Sequence, residues 1–293
     1  MERQFDFIGK RYIAYAISLL LIIGTWAYGL YKGPRFGIDF TGGVLVQIKV
    51  EGNVNAEKLR EIFKETDIGN GITVQQIQNA NEYILKVPAA SNVNRIVEEI
   101  KTTLMSKLKD KVQILRVEMI GPAVGKELKE KGLLAVLYSF IAILIYVAWR
   151  FEPVFAVTSV LALIHDALIT VGFLMVTGRE FNLPVVAAIL TVIGYSINDT
   201  IVVFDRIREN MQIYKNSKPF EELVNESINQ TLSRTIITSL TTFFVVLCLF
   251  LFGGSTINNF SFALLVGIIT GTYSSIFIAS SLVVDWYRIR KRK

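Results

Sequence analysis

Six apolar runs, each long enough to cross a bilayer, constrain this chain more than any other feature. They cover about residues 12–31, 133–149, 154–177, 184–204, 235–252 and 260–284. A membrane-spanning helix needs roughly 20 consecutive apolar residues, so the runs predict six transmembrane helices. The wider composition agrees: 52% of the 293 residues are hydrophobic and 19% are charged, with a mean hydropathy of +0.46. A soluble domain carries about 25% charged residues. The first run is too long for the apolar core of a secretion signal. It also ends in Gly29-Leu30-Tyr31-Lys32 rather than in a small-residue cleavage site, so it is expected to be retained as the first helix.

The formal net charge is +6, but the basic residues gather at the chain ends and in loops beside the apolar runs. Topology accounts for them better than a nucleic-acid partner does, and none is expected. With the N-terminus inside, the inner flanks hold 13 cations: Arg3, Lys10, Arg11, Arg150, Arg206, Arg208, Lys215, Lys218, Arg288, Arg290, Lys291, Arg292 and Lys293. The outer flanks hold 6: Lys32, Arg35, Lys126, Lys129, Lys131 and Arg179. Short cytoplasmic loops are the ones enriched in Lys and Arg, so both termini are expected in the cytoplasm. The basic tail 288–293 reads as a topology anchor. Cys248 is the single cysteine and His165 the single histidine. An intrachain disulfide and a multi-histidine metal site are therefore excluded, and no metal or organic cofactor is expected.

Between the first and second runs lies a segment of another kind, from about Gly37 to Gly121. Val44–Val50 alternates and is rich in β-formers. Residues 55–66 carry Leu59, Ile62 and Phe63 on one helical face. Ile72–Gln78 alternates again, Asn81-Glu82 turns the chain into Tyr83–Val87, and Pro88 ends that strand. Residues 92–108 form a helix with Val93, Ile96, Val97, Ile100, Leu104 and Leu108 as its stripe. Val112–Met119 is a last strand, carrying Val112, Ile114 and Val117. The order is β-α-β-β-α-β. The expected fold class is a polytopic α-helical membrane protein with six transmembrane helices and an inserted α+β ferredoxin-like (βαββαβ) extracytoplasmic domain. Its expected divisions are 1–34 (N-terminus and first helix), 35–121 (the inserted domain) and 122–293 (helices two to six). The last includes a helical cytoplasmic hairpin over 205–231.

Ionisable residues inside spans are costly and are functional candidates by default. Here they are Asp166 beside His165 in the third span, Asp199 in the fourth and Arg234 at the start of the fifth. By helical rise, Asp166 lies roughly 20 Å and Asp199 roughly 9 Å from the inner edge. Arg234, starting at that edge, is expected to reach the level of Asp199. Tyr195 and Ser196 share the Asp199 face at i−4 and i−3, and Asn198 adjoins it. The fifth span adds Thr235, Thr238, Thr241 and Thr242. The sixth adds Gly267-xxx-Gly271 and then Thr272, Tyr273, Ser274 and Ser275. Small and hydroxyl residues let helices pack closely and line a polar seam. Asp166, His165, Asp199 and Arg234 thus form a candidate proton relay supported by Tyr195, Ser196, Asn198, Thr238 and Thr272, with the proton as coupling ion. The plainer readings are a buried Asp199–Arg234 ion pair that only holds the bundle, a His165–Asp166 packing pair, and a glycine pair that only serves packing.

Several stretches carry a resemblance. They are Gly37-Ile-Asp-Phe-Thr-Gly-Gly, Gly121-Pro-Ala-Val-Gly-Lys-Glu-Leu, His165-Asp166, Gly194-Tyr-Ser-Ile-Asn-Asp-Thr-Ile-Val-Val-Phe-Asp-Arg-Ile-Arg-Glu, Thr231-Leu-Ser-Arg-Thr and Gly271-Thr-Tyr-Ser-Ser-Ile-Phe. In this order, over nearly the whole chain, they resemble the SecF branch of the SecD/SecF protein-export family, within the resistance-nodulation-division superfamily. The resemblance implies a subunit that pairs with SecD in a pseudo-symmetric twelve-helix unit. Such a unit assists the SecYEG channel and uses the proton-motive force to help preproteins across the cytoplasmic (inner) membrane. It implies YajC and YidC as further partners, alongside the translocating preprotein and membrane lipid. The family's proton-conducting aspartate and arginine fall on Asp199 and Arg234, and His165-Asp166 matches a further family motif. Gly37, Asp39, Gly42 and Gly43 read as a hinge between span and domain, since glycine permits tight turns.

A small-molecule efflux transporter of the same superfamily and a non-transporting scaffold are the alternatives. Six spans and a domain of roughly 85 residues are small for an efflux pump. No phosphate-binding glycine loop is present, and the two span aspartates are a poor fit to an intramembrane protease, so no enzymatic activity is expected.

Overall fold

The computed structural model describes residues 5–51, 54–66, 68–69, 71–77, 81–88, 93–108, 112–214 and 217–292. Arg3, Gln78, Asn92, Lys215 and Lys293 lie outside the described residues, as do the side chains of Val93, Lys291 and Arg292.

Helix α1 (Arg11–Lys32) is followed by a two-residue strand β1 (Arg35–Phe36) and a single turn α2 (Ile38–Thr41). Then come β2 (Gly43–Val50), α3 (Ala56–Lys64), β3 (Thr73–Gln76), β4 (Glu82–Pro88), α4 (Val93–Lys107) and β5 (Val112–Ile120). Their four strands form one sheet in the order β3-β4-β2-β5, every neighbour antiparallel. The alternation seen in the sequence sets the faces. Val44, Val46 and Ile48 of β2 and Tyr83 and Leu85 of β4 meet Leu59 and Phe63 of α3 and Ile100 and Leu104 of α4, all fully buried. Each such large side chain contributes about 1.5–3 kcal/mol when taken out of water. Asn55 starts α3 by accepting from the Lys58 N–H at 2.8 Å, which satisfies one of the donors a helix start leaves free. The hydroxyl of Tyr83 donates to the Val54 carbonyl. On the edge strand β5 the register slips opposite Gln47–Ile48, and Val117 there is 40% exposed, beyond the cover of the two helices.

The remaining chain is α5 (Pro122–Arg150), α6 (Pro153–Val176), a two-residue strand β6 (Glu180–Phe181), α7 (Leu183–Tyr214), α8 (Phe220–Phe252) and α9 (Gly254–Ser274). A π-helical turn over Ser275–Ala279 then leads into α10 (Ser280–Arg292). Among the described residues six helical stretches are long and apolar enough to span: α1, α5, α6, α7, α8 and the continuous Thr256–Arg290. In hydrocarbon the helix satisfies its own backbone. Pro122 and Pro153 stand at the first turns of α5 and α6, where a missing N–H costs nothing. The expected hairpin over 205–231 takes the form of α7 running on to Tyr214 and α8 starting at Phe220.

Contacts sort the bundle into two ends. At the N-terminal end, the Phe5 and Phe7 amides donate to Asn229 and Asn225 of α8, Arg150 pairs with Asp205 at 3.1 Å, and Tyr287 donates to Glu152 at 2.7 Å. At the other end β1 pairs in parallel with β6, Lys86 of β4 pairs with Glu180, and Arg179 donates to Asn258 and Asn259 at 2.5 and 3.1 Å. The sheet unit therefore sits wholly at the end away from both termini. Neither β1, β6 nor α2 has enough residues to show a period in the sequence.

Candidate functional site

Lipid tails give helices no hydrophobic reason to associate, so close packing and interhelical hydrogen bonds must hold the bundle. Glycine supplies the closeness. A Cβ at Gly271 of α9 would lie 2.9 Å from the Cβ of Ser196 on α7, and one at Gly29 of α1 would lie 2.6 Å from that of Met175 on α6. Gly267 meets Val192 and Gly271 meets Ser196 at the same offset of 75 residues, so α7 and α9 run parallel in fixed register. The Gly267/Gly271 pair thus has the packing role that its spacing suggests. The approach also brings polar groups together.

Asp166 is fully buried. Its Oδ2 accepts from the Ser196 hydroxyl of α7 at 2.6 Å and the Ser274 hydroxyl of α9 at 2.7 Å. Its Oδ1 lies 2.9 Å from His165 Nδ1, whose ring reaches Ser18 of α1 through Nε2 at 2.9 Å. A buried carboxylate without partners costs far more than one that is bonded, and here partners from α6, α7 and α9 surround it. Asp199, 3% exposed, accepts from Ser239 of α8 at 3.3 Å. Ser239 in turn accepts from Thr272 of α9 at 2.7 Å. Ser196 and Asp199 stand three residues apart on α7, about 4.5 Å of rise. The two carboxylates therefore sit one turn apart. The wider separation expected from the sequence placed the inner edge at Asp205, but α7 continues as helix past it to Tyr214.

The expected Asp199–Arg234 contact does not form: among the described residues no ion pair within 4.0 Å joins them, and Arg234 is exposed. The reason is register. Asp199 pairs with Ser239 and Asn210 with Ser227, which fixes α7 and α8 antiparallel. Arg234 then lies five residues from the level of Asp199, about 7.5 Å toward the N-terminal end. It also flanks the buried stripe Thr231, Thr235, Ser239 rather than belonging to it. Asn198 faces outward and is exposed. Thr238 donates to its own helix, at the Arg234 and Thr235 carbonyls. Tyr195 contributes a buried hydroxyl without a partner. Ser196 and Thr272 are the supporting residues the structure brings to the carboxylates. Ser18 and Ser239 escape the sequence reading; the i, i+4 spacing from Thr231 through Thr235 to Ser239 is the signal that points to the latter.

Gly37 to Gly43 is a packed joint. Asp39 accepts from the Leu183 N–H at 2.8 Å, capping α7. Gly42 and Gly43 have φ of 72° and 147°, values that favour glycine. A Cβ on Gly42 would lie 2.7 Å from the Pro122 Cα.

Fold and seam together define a multi-pass membrane protein of six helices with carboxylates bonded across its core and one α/β unit at one end. Residues 100–289 match the family of protein export membrane protein SecD/SecF, C-terminal, and residues 32–54 match the SecD/SecF GG motif. The chain is 47% identical to protein translocase subunit SecF of Calditerrivibrio nitroreducens, over 99% of this chain and 97% of that one. It is 46% identical to the SecF subunit of Desulfurispirillum indicum, over 96% and 91%. The crystal structure of SecDF, a translocon-associated membrane protein from Thermus thermophilus, superposes with a TM-score of 0.87 at 42% identity, over 98% of this chain and 39% of that chain. SecDF in its super-membrane-facing form superposes at 0.75. This chain therefore spans about two fifths of SecDF. It belongs to the SecD/SecF family and, within it, to the SecF proteins.

Proposed function

We propose that this chain is an accessory subunit of Sec-dependent preprotein export, driven by the proton-motive force. The observation that carries the reading is the pair of buried carboxylates, Asp166 and Asp199, one turn apart, whose hydrogen-bond partners come from spans three, four, five and six. Hydrogen bonds to a charged carboxylate are roughly twice as strong as neutral ones. A proton arriving at Asp166 or Asp199 removes the charge that Ser196, Ser274 and Ser239 hold, and their helices are freed to shift. Arg234 completes the cycle: a one-turn displacement along α8, the kind of step that switches packed helices, brings it within about 2 Å of the level of Asp199 and favours release of the proton.

The moving load is the α/β unit, residues 35–121, which the strand order supports as a ferredoxin-like domain on the extracytoplasmic side. The joint at Gly37, Asp39, Gly42 and Gly43 transmits the motion. The excess of cations at the N-terminal end supports both termini in the cytoplasm of a cell whose inner membrane holds the chain. SecD is the first partner, because a similar sequence forms part of the single chain SecDF. A groove of about 410 Å³ between α8 and α9, with Ile236, Leu240 and Ile269 exposed along it, supports a further helix packing there. SecYEG, YajC, YidC and the preprotein follow as partners from the family. No enzymatic step and no cofactor is assigned.

The test is proton entry into vesicles holding this chain with its SecD partner, beside preprotein export in the same vesicles. Asp199→Asn and Arg234→Ala are expected to abolish proton entry and the gradient-dependent part of export. Wild-type rates in both variants would sink the reading.

A further inference from the structure

Span one is absent from the cycle just described, yet it makes the longest polar connection to the buried carboxylates. Ser18, 5% exposed, lies 2.9 Å from His165 Nε2 and donates toward the Tyr273 oxygen at 3.2 Å. The Tyr273 hydroxyl donates to the Ala14 carbonyl at 2.8 Å, and its ring stacks on His165 with centroids 6.1 Å apart. About one turn further along α1, roughly 4.5 Å, the Tyr15 hydroxyl donates to Asp285 at 3.0 Å. Asp285 is paired with buried Arg11 at 3.0 Å, and Arg11 reaches Glu221 at 3.5 Å, whose side chain is 48% exposed.

Counting donors gives the connection a direction. With Nδ1–H on Asp166, Nε2–H on Ser18, the Ser18 O–H on Tyr273 and the Tyr273 O–H on Ala14, each donor is used once. A proton brought to the Asp166–His165 pair leaves by hops in which each hydroxyl accepts one proton and releases its own, so nothing is consumed. The run stops at the Ala14 carbonyl, which cannot relay. A second run begins at Tyr15, next in sequence, whose hydroxyl passes its proton to the Asp285 carboxylate; Arg11, always protonated, holds Asp285 and Glu221 in place and relays nothing.

We propose that span one is part of the proton path: Ser18 and Tyr273 carry the proton from His165–Asp166 to Tyr15–Asp285 at the N-terminal end, and the Tyr273–Ala14 hydrogen bond is the break that opens and closes it. The π-helical turn Ser275–Ala279 begins two residues after Tyr273. Such wider turns interrupt regular helix packing and cluster at functional sites, so it gives Tyr273 the local freedom to leave Ala14. The inference rests on the proton reading above, and its test separates the two.

Proton entry is measured with a pH-sensitive dye in vesicles holding the full chain and its SecD partner, for Ser18→Ala, Ser18→Thr, Asp285→Asn and Asp199→Asn, with thermal midpoints recorded in parallel. The expected result is at least a tenfold loss for Ser18→Ala at an unchanged midpoint, and the same loss for Asp285→Asn, whose midpoint falls because buried Arg11 loses its partner. Ser18→Thr, which keeps the hydroxyl, is expected to restore entry to within about threefold of wild type. If Asp199→Asn abolishes entry while Ser18→Ala and Asp285→Asn keep it within twofold, the path does not use span one. If Ser18→Ala and Ser18→Thr fail alike with a lowered midpoint, Ser18 is only a packing residue and the proposal is overturned. Entry unchanged in Asp199→Asn overturns the proton reading itself.

Discussion

Asp166 and Asp199 keep their place because glycine lets their donors come near. Gly271 is the clearest case: its missing side chain sets Ser196 and Ser274 within reach of one carboxylate oxygen. Gly271→Ala is expected to cost about 1–3 kcal/mol, the usual penalty for forcing extra volume into a packed contact, and to lower the thermal midpoint in detergent. Gly24 meets nothing within 4 Å, and Gly24→Ala is expected to leave the midpoint unchanged or raise it, since alanine is the better helix former. Equal losses at both positions would mean that close packing is not what Gly271 provides. At this scale the sequence exposes residue type but not relative depth, azimuth or partner register. Asp166, His165 and Asp199 are conspicuous as charges in apolar runs. That Asn198 points outward, and that Arg234 lies a turn and a half from Asp199, depends on how far α7 and α8 continue beyond the membrane, which hydropathy does not reveal.

Elements with a long period were legible, and elements without one were not. The strands and helices of the inserted unit fall within a few residues of their expected bounds because alternation in β2 and the stripe on α4 persist over many residues. The β1–β6 pair, α2 and the π-helical turn are set by tertiary contacts and by hydrogen bonds that no local pattern encodes. One element of each kind carries a prediction. Asp39, at the start of α2, caps α7 across the joint, so Asp39→Ala is expected to lower stability by about 0.5–2 kcal/mol. Asp39→Asn, still an acceptor, is expected to retain most of it; a thermal melt that ranks them the other way contradicts the cap. Within β4, burial raises the Tyr83 phenol above its ordinary value near 10. A group whose pKa is raised on folding supports the fold below its unfolded value, and that support fades as pH rises toward the folded one. The melting point of the unit is therefore expected to fall as pH climbs above about 10, and Tyr83→Phe should flatten that decline. An unchanged alkaline slope in Tyr83→Phe would assign the decline to another group.

The whole molecule joins two different chemistries. One end holds a water-type core of Val, Ile, Leu and aromatic residues under a four-stranded sheet; the bundle holds hydroxyls and carboxylates in a lipid-facing shell. They meet at a joint in which β1–β6, Lys86–Glu180 and Asp39–Leu183 all cross from one part to the other. On the proposed function, displacement of helices around the carboxylates reaches the sheet unit through these three contacts. The most direct measurement is the increment in preprotein export rate that an imposed proton gradient adds, in vesicles holding this chain and its SecD partner, for wild type and Asp199→Asn. Wild type is expected to show an increment and Asp199→Asn at least a tenfold smaller one, with rates equal when no gradient is imposed. An Asp199→Asn protein that keeps the full increment would contradict the proposed function.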